Sequence, residues 1–394
     1  PLSTLLFSVV MSLTLQEVIK NTGLHVQQAS YIDDTVLFGP ADQVAEAIRL
    51  LPNLLLPTGL ALQPSKTKVW SPTADSITRH EALRELRSKM DDPRGLILLG
   101  QAVGEDPVDA YAVGEAAFTN DHVRRTQQLI QDELHRIELF PSKLTQDQAG
   151  YQVAMLLVLH NIPSRFLHVL RAYPVDLTQE LTEAISDTLR GLLERWAGIP
   201  LPFPVSWEVA RLPVCRGGLG FPHLPLLAVA HRAAAIAALP RLPGSEKQRV
   251  RVALHEGPHL LARLRDLMDT DPSKYLGDLA TPPEGVSPKK LARKLMLSSL
   301  PPRIRSVQSK VETLPAYARH IWQRMKCRDS LEAPLGANCQ GLWLTSVPRD
   351  HFTRVPNAAY LTGLRTRLLQ PAPGAGRACI KPKANGGKCG HILD

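Results

Sequence analysis

No apolar run in this chain of 394 residues reaches the roughly 18 residues that a membrane span needs. The richest, Leu226 to Leu239, is interrupted by His231 and Arg232, so no membrane partner is expected. The start at Pro1 has neither a basic flank nor a small-residue cleavage site, and no targeting signal is found. Cysteine is sparse. Five, scattered and odd in number, exclude a disulfide framework and favour a reducing compartment. The loop Leu212-Pro213-Val214-Cys215-Arg216-Gly217-Gly218-Leu219-Gly220-Phe221 lacks Gly-Lys-Ser/Thr and a preceding strand. It reads as a structural turn between helices, not a phosphate cradle. Acids are nearly missing from Ser287 to Arg328. Glu312 stands alone there against Lys289, Lys290, Arg293, Lys294, Arg303, Arg305, Lys310, Arg319, Arg324, Lys326 and Arg328. A solvated helix face mixes signs, so this stretch is a candidate phosphate-binding region. Tyr317 and Trp322 fall inside it, suited to core packing first and base stacking second.

What is present is enough for a large core: 44% of residues are hydrophobic. The length implies two or three domains. The 33 prolines imply short helices broken by loops. A net charge of +9 points to a polyanionic partner, nucleic acid before membrane. Near the end, Cys379, Cys389 and His391 are three candidate zinc ligands. A structural zinc needs four, and Cys327 and Cys339 are distant candidates for the fourth.

The chain is organised around Ala29-Ser30-Tyr31-Ile32-Asp33-Asp34-Thr35-Val36-Leu37-Phe38. Apolar and β-prone residues flank two adjacent acids, which predicts a strand, a tight turn and a returning strand. Neighbours along a regular strand face opposite ways. Asp33 and Asp34 serve one site only if the backbone bends beside them. Two carboxylates about 4 Å apart repel by roughly 4 kcal/mol at an effective dielectric near 20, and Mg²⁺ relieves such repulsion. The plain alternative is a solvated hairpin turn.

Before the hairpin, Leu2, Leu5, Leu6, Val9, Val10 and Leu13 predict a helix over 1–20 with one buried stripe, stopped at Asn21-Thr22-Gly23. After it, Val44, Ile48 and Leu51 predict a second helix ending at Pro52. Gly59 to Trp70 predicts strand, turn, strand; 76–90 a helical insert; Leu96 to Gly100 a strand ending at the glycine. That order is an α+β arrangement, an antiparallel sheet with backing helices. From Thr119 to Gly198 the pattern is all helix, with breaks at Pro141, Pro163 and Pro174. Further helices are expected at 224–239, 249–268 and from a Ser287-Pro288 cap.

Four segments in order now carry a family resemblance. Pro1-Leu2-Ser3 resembles the end of the Gly-Asp-Pro-Leu-Ser motif of reverse transcriptases, and Tyr31-Ile32-Asp33-Asp34 their Tyr-x-Asp-Asp box. Gly59-Leu60-Ala61-Leu62-Gln63-Pro64-Ser65-Lys66-Thr67 resembles the Gly-Leu-x-Leu-Asn-x-x-Lys-Thr segment of non-LTR retrotransposon enzymes. Leu98-Leu99-Gly100 resembles the primer-grip Leu-Gly. The resemblance implies a partial right-hand polymerase palm over 1–104 and a helical thumb over 105–204. It implies a helical C-terminal region over 205–286, a basic nucleic-acid-binding region over 287–370 and a zinc-knuckle-like end over 371–394. It implies RNA-directed DNA synthesis with an RNA template, a DNA primer, dNTPs and two Mg²⁺ ions, acting in the nucleus. By position Asp33 is then the main metal ligand, Asp34 the supporting one, and Lys66 a proton donor or countercharge to the leaving pyrophosphate. Tyr31 and Ile32 line the primer end, Leu2 and Ser3 neighbour the nucleotide pocket, and Leu99 and Gly100 hold the primer backbone. Arg124 and Arg125 in the thumb are candidate primer–template contacts.

Departures from the family pattern are Ile32 in the box, where relatives in this class more often have Ala, and Gln63 for Asn. The family's further aspartate lies on a strand upstream of the Gly-Asp-Pro motif, so this chain by itself is expected to be inactive. A non-catalytic nucleic-acid-binding remnant of such a polymerase is the second expectation. A helical scaffold whose acids form a plain turn is the third.

Overall fold

The structure, a computed structural model, describes residues 2–31, 34–63, 65–71, 73–87, 94–98, 101–104, 117–143, 149–198, 200–238, 246–268, 271–276, 287–325 and 355–370. They form two compact units, Pro1–His122 and Val123–Asp394. Helices dominate. The described strands make two antiparallel two-stranded sheets, so the composition is α+β.

In the first unit, α1 (Leu2–Thr22) ends where Gly23 turns left-handed, φ 65°. The hairpin β1 (Gln27–Tyr31) and β2 (Asp34–Phe38) follows, then α2 (Ala41–Leu55). The side chains of Leu2, Leu5 and Leu6 lie outside the described ones; among those described, the buried stripe of α1 differs from the expected one. Val9 and Leu13 are 45% and 60% exposed, while Leu15 is buried with Met11 beside it. Met11, Leu15 and Ile19 recur every four residues; the first two meet Leu51 and Leu55 of α2, and Ile19 packs in the cluster of Val26, Val44 and Ala45. Helix α2 also runs through Pro52 rather than stopping there. An interior proline costs about 3 kcal/mol. Burying Leu51 and Leu55 contributes roughly 1.5–3 kcal/mol each, which favours continuing to Leu55.

No described strand forms over 59–70. The segment is a loop in which Lys66 N and Thr67 N both donate to Gln63 O at 3.0 and 3.1 Å. Leu60 and Leu62 pack onto the α1–α2 core, and Val69 onto the cluster around Val26 and Val44. Side-chain burial, not a ladder, holds this loop. Short helices α3 (Ala74–Thr78) and α4 (Glu81–Arg87) supply the helical insert. A second hairpin follows, β3 (Gly95–Leu98) with β4 (Gln101–Gly104).

The second unit is helical among its described residues. Helix α5 (Ala117–Leu139) buries Val123, Ile130, Leu134 and Ile137, the face its spacing predicts. Pro141 opens a single 3₁₀ turn. Helix α6 (Gly150–Leu156), a π turn (Leu157–Asn161) and α7 (Ile162–Ala172) then run without a break. Pro163 was expected to end a helix. It instead sits in the first turn of α7, where the wider π turn absorbs its missing N–H. This run is long and apolar enough to cross a membrane, with mean hydropathy 1.4. The sequence alone predicts no run of that length; by length and composition this one qualifies, with 39% of its apolar window buried, and Ala154, Met155, Val158, Phe166 and Val169 are among the run's buried residues.

Pro174 starts α8 (Val175–Ala197), closed by Gly198 at φ 74°. Helix α9 (Pro204–Ala210) leads into the glycine loop, which is a structural turn as expected. Gly217 turns left-handed at φ 86°, and a Cβ on Gly218 would collide with the carbonyl oxygens of Leu212 and Val209. The alanine-rich α10 (Leu224–Ala238) lies at the centre, in contact with α7, α8, α11 (Glu246–Leu267) and the helix Pro288–Ser298. Small side chains allow that many close neighbours. After α12 (Ser273–Leu276), α13 (Pro288–Ser298) begins as predicted: Ser287 Oγ accepts from Lys290 N at 3.3 Å. Helices α14 (Leu300–Glu312) and α15 (Ala316–Met325) close a core with α9 that includes Val209, Leu212, Val307 and Trp322. Helix α16 (Asn357–Arg367) ties the unit together through its cations. Arg365 Nε donates to Ala197 O at 2.7 Å, capping α8, and Arg367 Nη1 donates to Val214 O and Gly218 O at 2.9 Å.

Candidate functional site

The hairpin register is Gln27↔Phe38 through to Tyr31↔Asp34. The last ladder pair therefore leaves two residues, Ile32 and Asp33, to connect the strands. The sequence condition for Asp33 and Asp34 to share a site, a chain reversal beside them, is met by this register. Asp33 and Ile32 lie outside the described residues, and Tyr31 and Asp34 are described in backbone alone. The hairpin is anchored on its helices. Gln28 Nε2 donates to Ser12 Oγ at 3.3 Å on α1, and His25 N to Gln43 Oε1 at 2.5 Å on α2. Leu37 joins both apolar clusters of the unit.

The other predicted residues distribute as follows. Leu2 and Ser3 open α1, described in backbone alone. Lys66 is exposed in the turn after Pro64, not on a strand. Leu99 and Gly100 lie outside the described residues. The pair Leu98↔Gln101 brackets them, so the strand predicted to end at Gly100 ends at Leu98 and returns as a hairpin. Arg94 Nη2 donates to Asp121 Oδ2 at 2.8 Å and lies 5.7 Å from the Phe118 ring, fastening the entry to β3. Arg124 and Arg125 are exposed on α5, in its part that belongs to the second unit. Cys379, Cys389 and His391 lie outside the described residues. Among the described residues no group of three or more His, Cys, Asp or Glu converges as a metal site.

The basic stretch divides by role. Lys289, Lys290, Arg293, Lys294 and Arg319 are exposed on α13 and α15. Lys310 pairs with Glu208 at 2.6 Å. Trp322 is core, 3% exposed, whereas Tyr317 is 45% exposed with its ring 6.3 Å from Phe203. Arg303 belongs to the one-signed basic stretch but is not exposed like Lys289 or Arg319. It is instead half-buried, with its Nη2 donating to Arg211 O at 2.8 Å. Burial, then neighbouring Arg211, lowers its pKa to about 10. His223, held mainly by burial and then by Arg211 and Arg303, falls to about 3. Arg211 and His223 were not singled out from the sequence. They stand 92 and 80 residues from Arg303, with only the fold to join them.

A second buried polar group is structural. Arg232 on α10 donates to both Glu256 carboxylate oxygens, at 2.8 and 2.5 Å, and to the carbonyls of Arg171 and Ala172. Beside it, His231 Nδ1 accepts from Arg171 Nε at 3.2 Å. Burial, then Arg171, holds His231 down to about 4. Comparison with protein-family models, with curated proteins and with solved structures gives no significant match.

Proposed function

We propose that this chain is the palm-and-thumb part of an RNA-directed DNA polymerase of the non-LTR retrotransposon kind. The observation that carries the reading is the register of the first hairpin, which leaves Ile32-Asp33 between strands that end in Tyr31 and begin in Asp34. That hairpin rests on a helix bearing Leu2-Ser3 and precedes the Leu60-to-Thr67 loop, so the motif order of the resemblance coincides with one compact unit. Adjacent carboxylates at a chain reversal are hard oxygen ligands suited to Mg²⁺. The ion would lower the pKa of a primer hydroxyl and offset charge on the transferred phosphoryl group. Asp33 and Asp34 would hold it. Lys66, exposed in its turn, would supply a mobile countercharge.

The test is oxidative mapping with Fe²⁺ in place of Mg²⁺. With ascorbate and peroxide, bound iron should cut the backbone around residues 30–36. Mg²⁺ should suppress the cut, and Asp33→Asn should abolish it. Absence of a Mg²⁺-competed cut there refutes the metal role. A second reading, a nucleic-acid-binding protein without catalysis, is favoured by the one-signed exposed face of α13, which needs no metal.

A further inference from the structure

The second unit gathers basic groups that the hairpin chemistry does not use. We propose that Arg211, His223 and Arg303 form a binding site for one backbone phosphate of a nucleic-acid strand. The proposal rests on the nucleic-acid reading above and assigns it a specific contact in the helical unit.

The geometry is as follows. Arg211 lies just past the end of α9, its guanidinium carbon 5.5 Å from the Trp207 ring centroid, so the plane is braced. Its Nε is buried with no hydrogen-bond acceptor among the described residues. Arg303, from α14, donates to the carbonyl oxygen of Arg211 at 2.8 Å, which brings the second guanidinium to the same turn. His223 precedes α10, and its Nδ1 accepts from Leu226 N at 3.3 Å. The neutral ring therefore carries its proton on Nε2 and presents a donor. Phe221, two residues before His223, packs its ring 5.8 Å from that of Trp207, the ring Arg211 also lies against, so the His223 loop joins the same turn, and both arginines lower the pKa of His223. Glu208 is the acid that acts on both arginines, and Lys310 Nζ already engages it at 2.6 Å.

Three elements thus deliver donors, with Glu208, shared with Lys310, the one acid acting on the arginines. Two are forked cations, and one is a neutral N–H. A phosphodiester matches that set. Its two free oxygens accept from guanidinium forks and its single charge offsets their repulsion. Water-exposed cations need no such arrangement, but half-buried ones at close quarters are costly without an anion. The same unit also carries exposed Lys289, Lys290, Arg293 and Lys294, with Glu312 the sole acid of α13 to α15. A strand held at several phosphates fits this better than a free ion does.

The test measures binding of a labelled single-stranded oligonucleotide and of a primer–template duplex by fluorescence anisotropy across salt concentrations, without divalent metal. Arg211→Gln and Arg303→Gln should each weaken binding about 5–10-fold at low salt and reduce the log–log salt slope by about one. In ¹³C-histidine-labelled wild-type protein, assigned with His223→Gln, the His223 resonance should shift saturably with oligonucleotide. This measurement stands even where a glutamine variant fails to fold. Unchanged affinity and slope in both folded variants, or an unmoved His223 resonance, overturns the site. If neutralising Lys289, Lys290, Arg293 and Lys294 lowers the slope while Arg211→Gln and Arg303→Gln do not, nucleic-acid binding stands and this site falls. A His223 shift with inorganic phosphate but not with oligonucleotide overturns the assignment to a strand.

Discussion

Replacing Glu256 by Gln should be among the most damaging single changes in the second unit. The side chains of Arg232 and Glu256 are 11% and 15% exposed, so the pair is largely out of water. Arg232 spends one edge on both carboxylate oxygens and the other on two carbonyls at the end of α7. Glu256→Gln keeps the shape and removes the countercharge, leaving a buried guanidinium uncompensated, which costs about 3–5 kcal/mol. With a urea dependence of about 2 kcal/mol per molar, the unfolding midpoint should fall by about 2 M. Trp196, Trp207 and Trp322 are buried in this unit and report the transition by fluorescence. Arg232→Met should cost at least as much, because it orphans Glu256 and both carbonyls. The double variant Arg232→Met with Glu256→Leu should be less unstable than the sum of the singles by about 2–3 kcal/mol. A midpoint shift below about 0.5 M for Glu256→Gln, or strict additivity in the cycle, would refute the reasoning.

Three further outcomes are expected. His231 has a folded pKa of about 4 against an ordinary 6.5. The stability tied to keeping it neutral is whole above pH 6.5 and is lost as pH falls towards 4, at most roughly 3 kcal/mol in all. Urea midpoints against pH should show that slope on top of the one His223 adds in the same direction, and His231→Gln should remove only the His231 share. Gly218→Ala should destabilise by about 2–3 kcal/mol or more, since its Cβ meets the Val209 oxygen at 2.6 Å. Gly23→Ala, left-handed but in open space, should cost only about 1 kcal/mol; thermal scans separate the two. Neutralising Lys289, Lys290, Arg293 and Lys294 to Gln should lower the salt slope of oligonucleotide binding by about 2–4, read by anisotropy, and leave the urea midpoint unchanged.

The elements legible in the sequence were those governed by neighbouring residues. The Ser287 cap, the Gly23 stop, the buried face of α5 and the reversal after Tyr31 each depend on a few positions along the chain. What tertiary packing decides was not legible. Among its described side chains, α1 packs through Met11, Leu15 and Ile19 because of the helix it faces, not because those residues are the most apolar. Pro52 and Pro163 sit inside helical runs because burial beyond them, or a π turn before them, outweighs the local penalty. The 59–70 segment lacks strands because Leu60 and Leu62 are held by side-chain burial. The site divides the same way. Two adjacent aspartates between β-prone residues are visible in any reading. Arg211, His223 and Arg303 come from a turn, a pre-helix loop and a helix, with no periodicity linking them.

The most direct measurement attaches a photoreactive nucleotide to the 3′ end of a primer annealed to an RNA template, and maps the crosslink with Mg²⁺ present. The polymerase reading requires the label on the peptide spanning residues 27–38, diminished by Asp33→Ala. Label confined to other segments of the chain, or no Mg²⁺-dependent label at all, contradicts it.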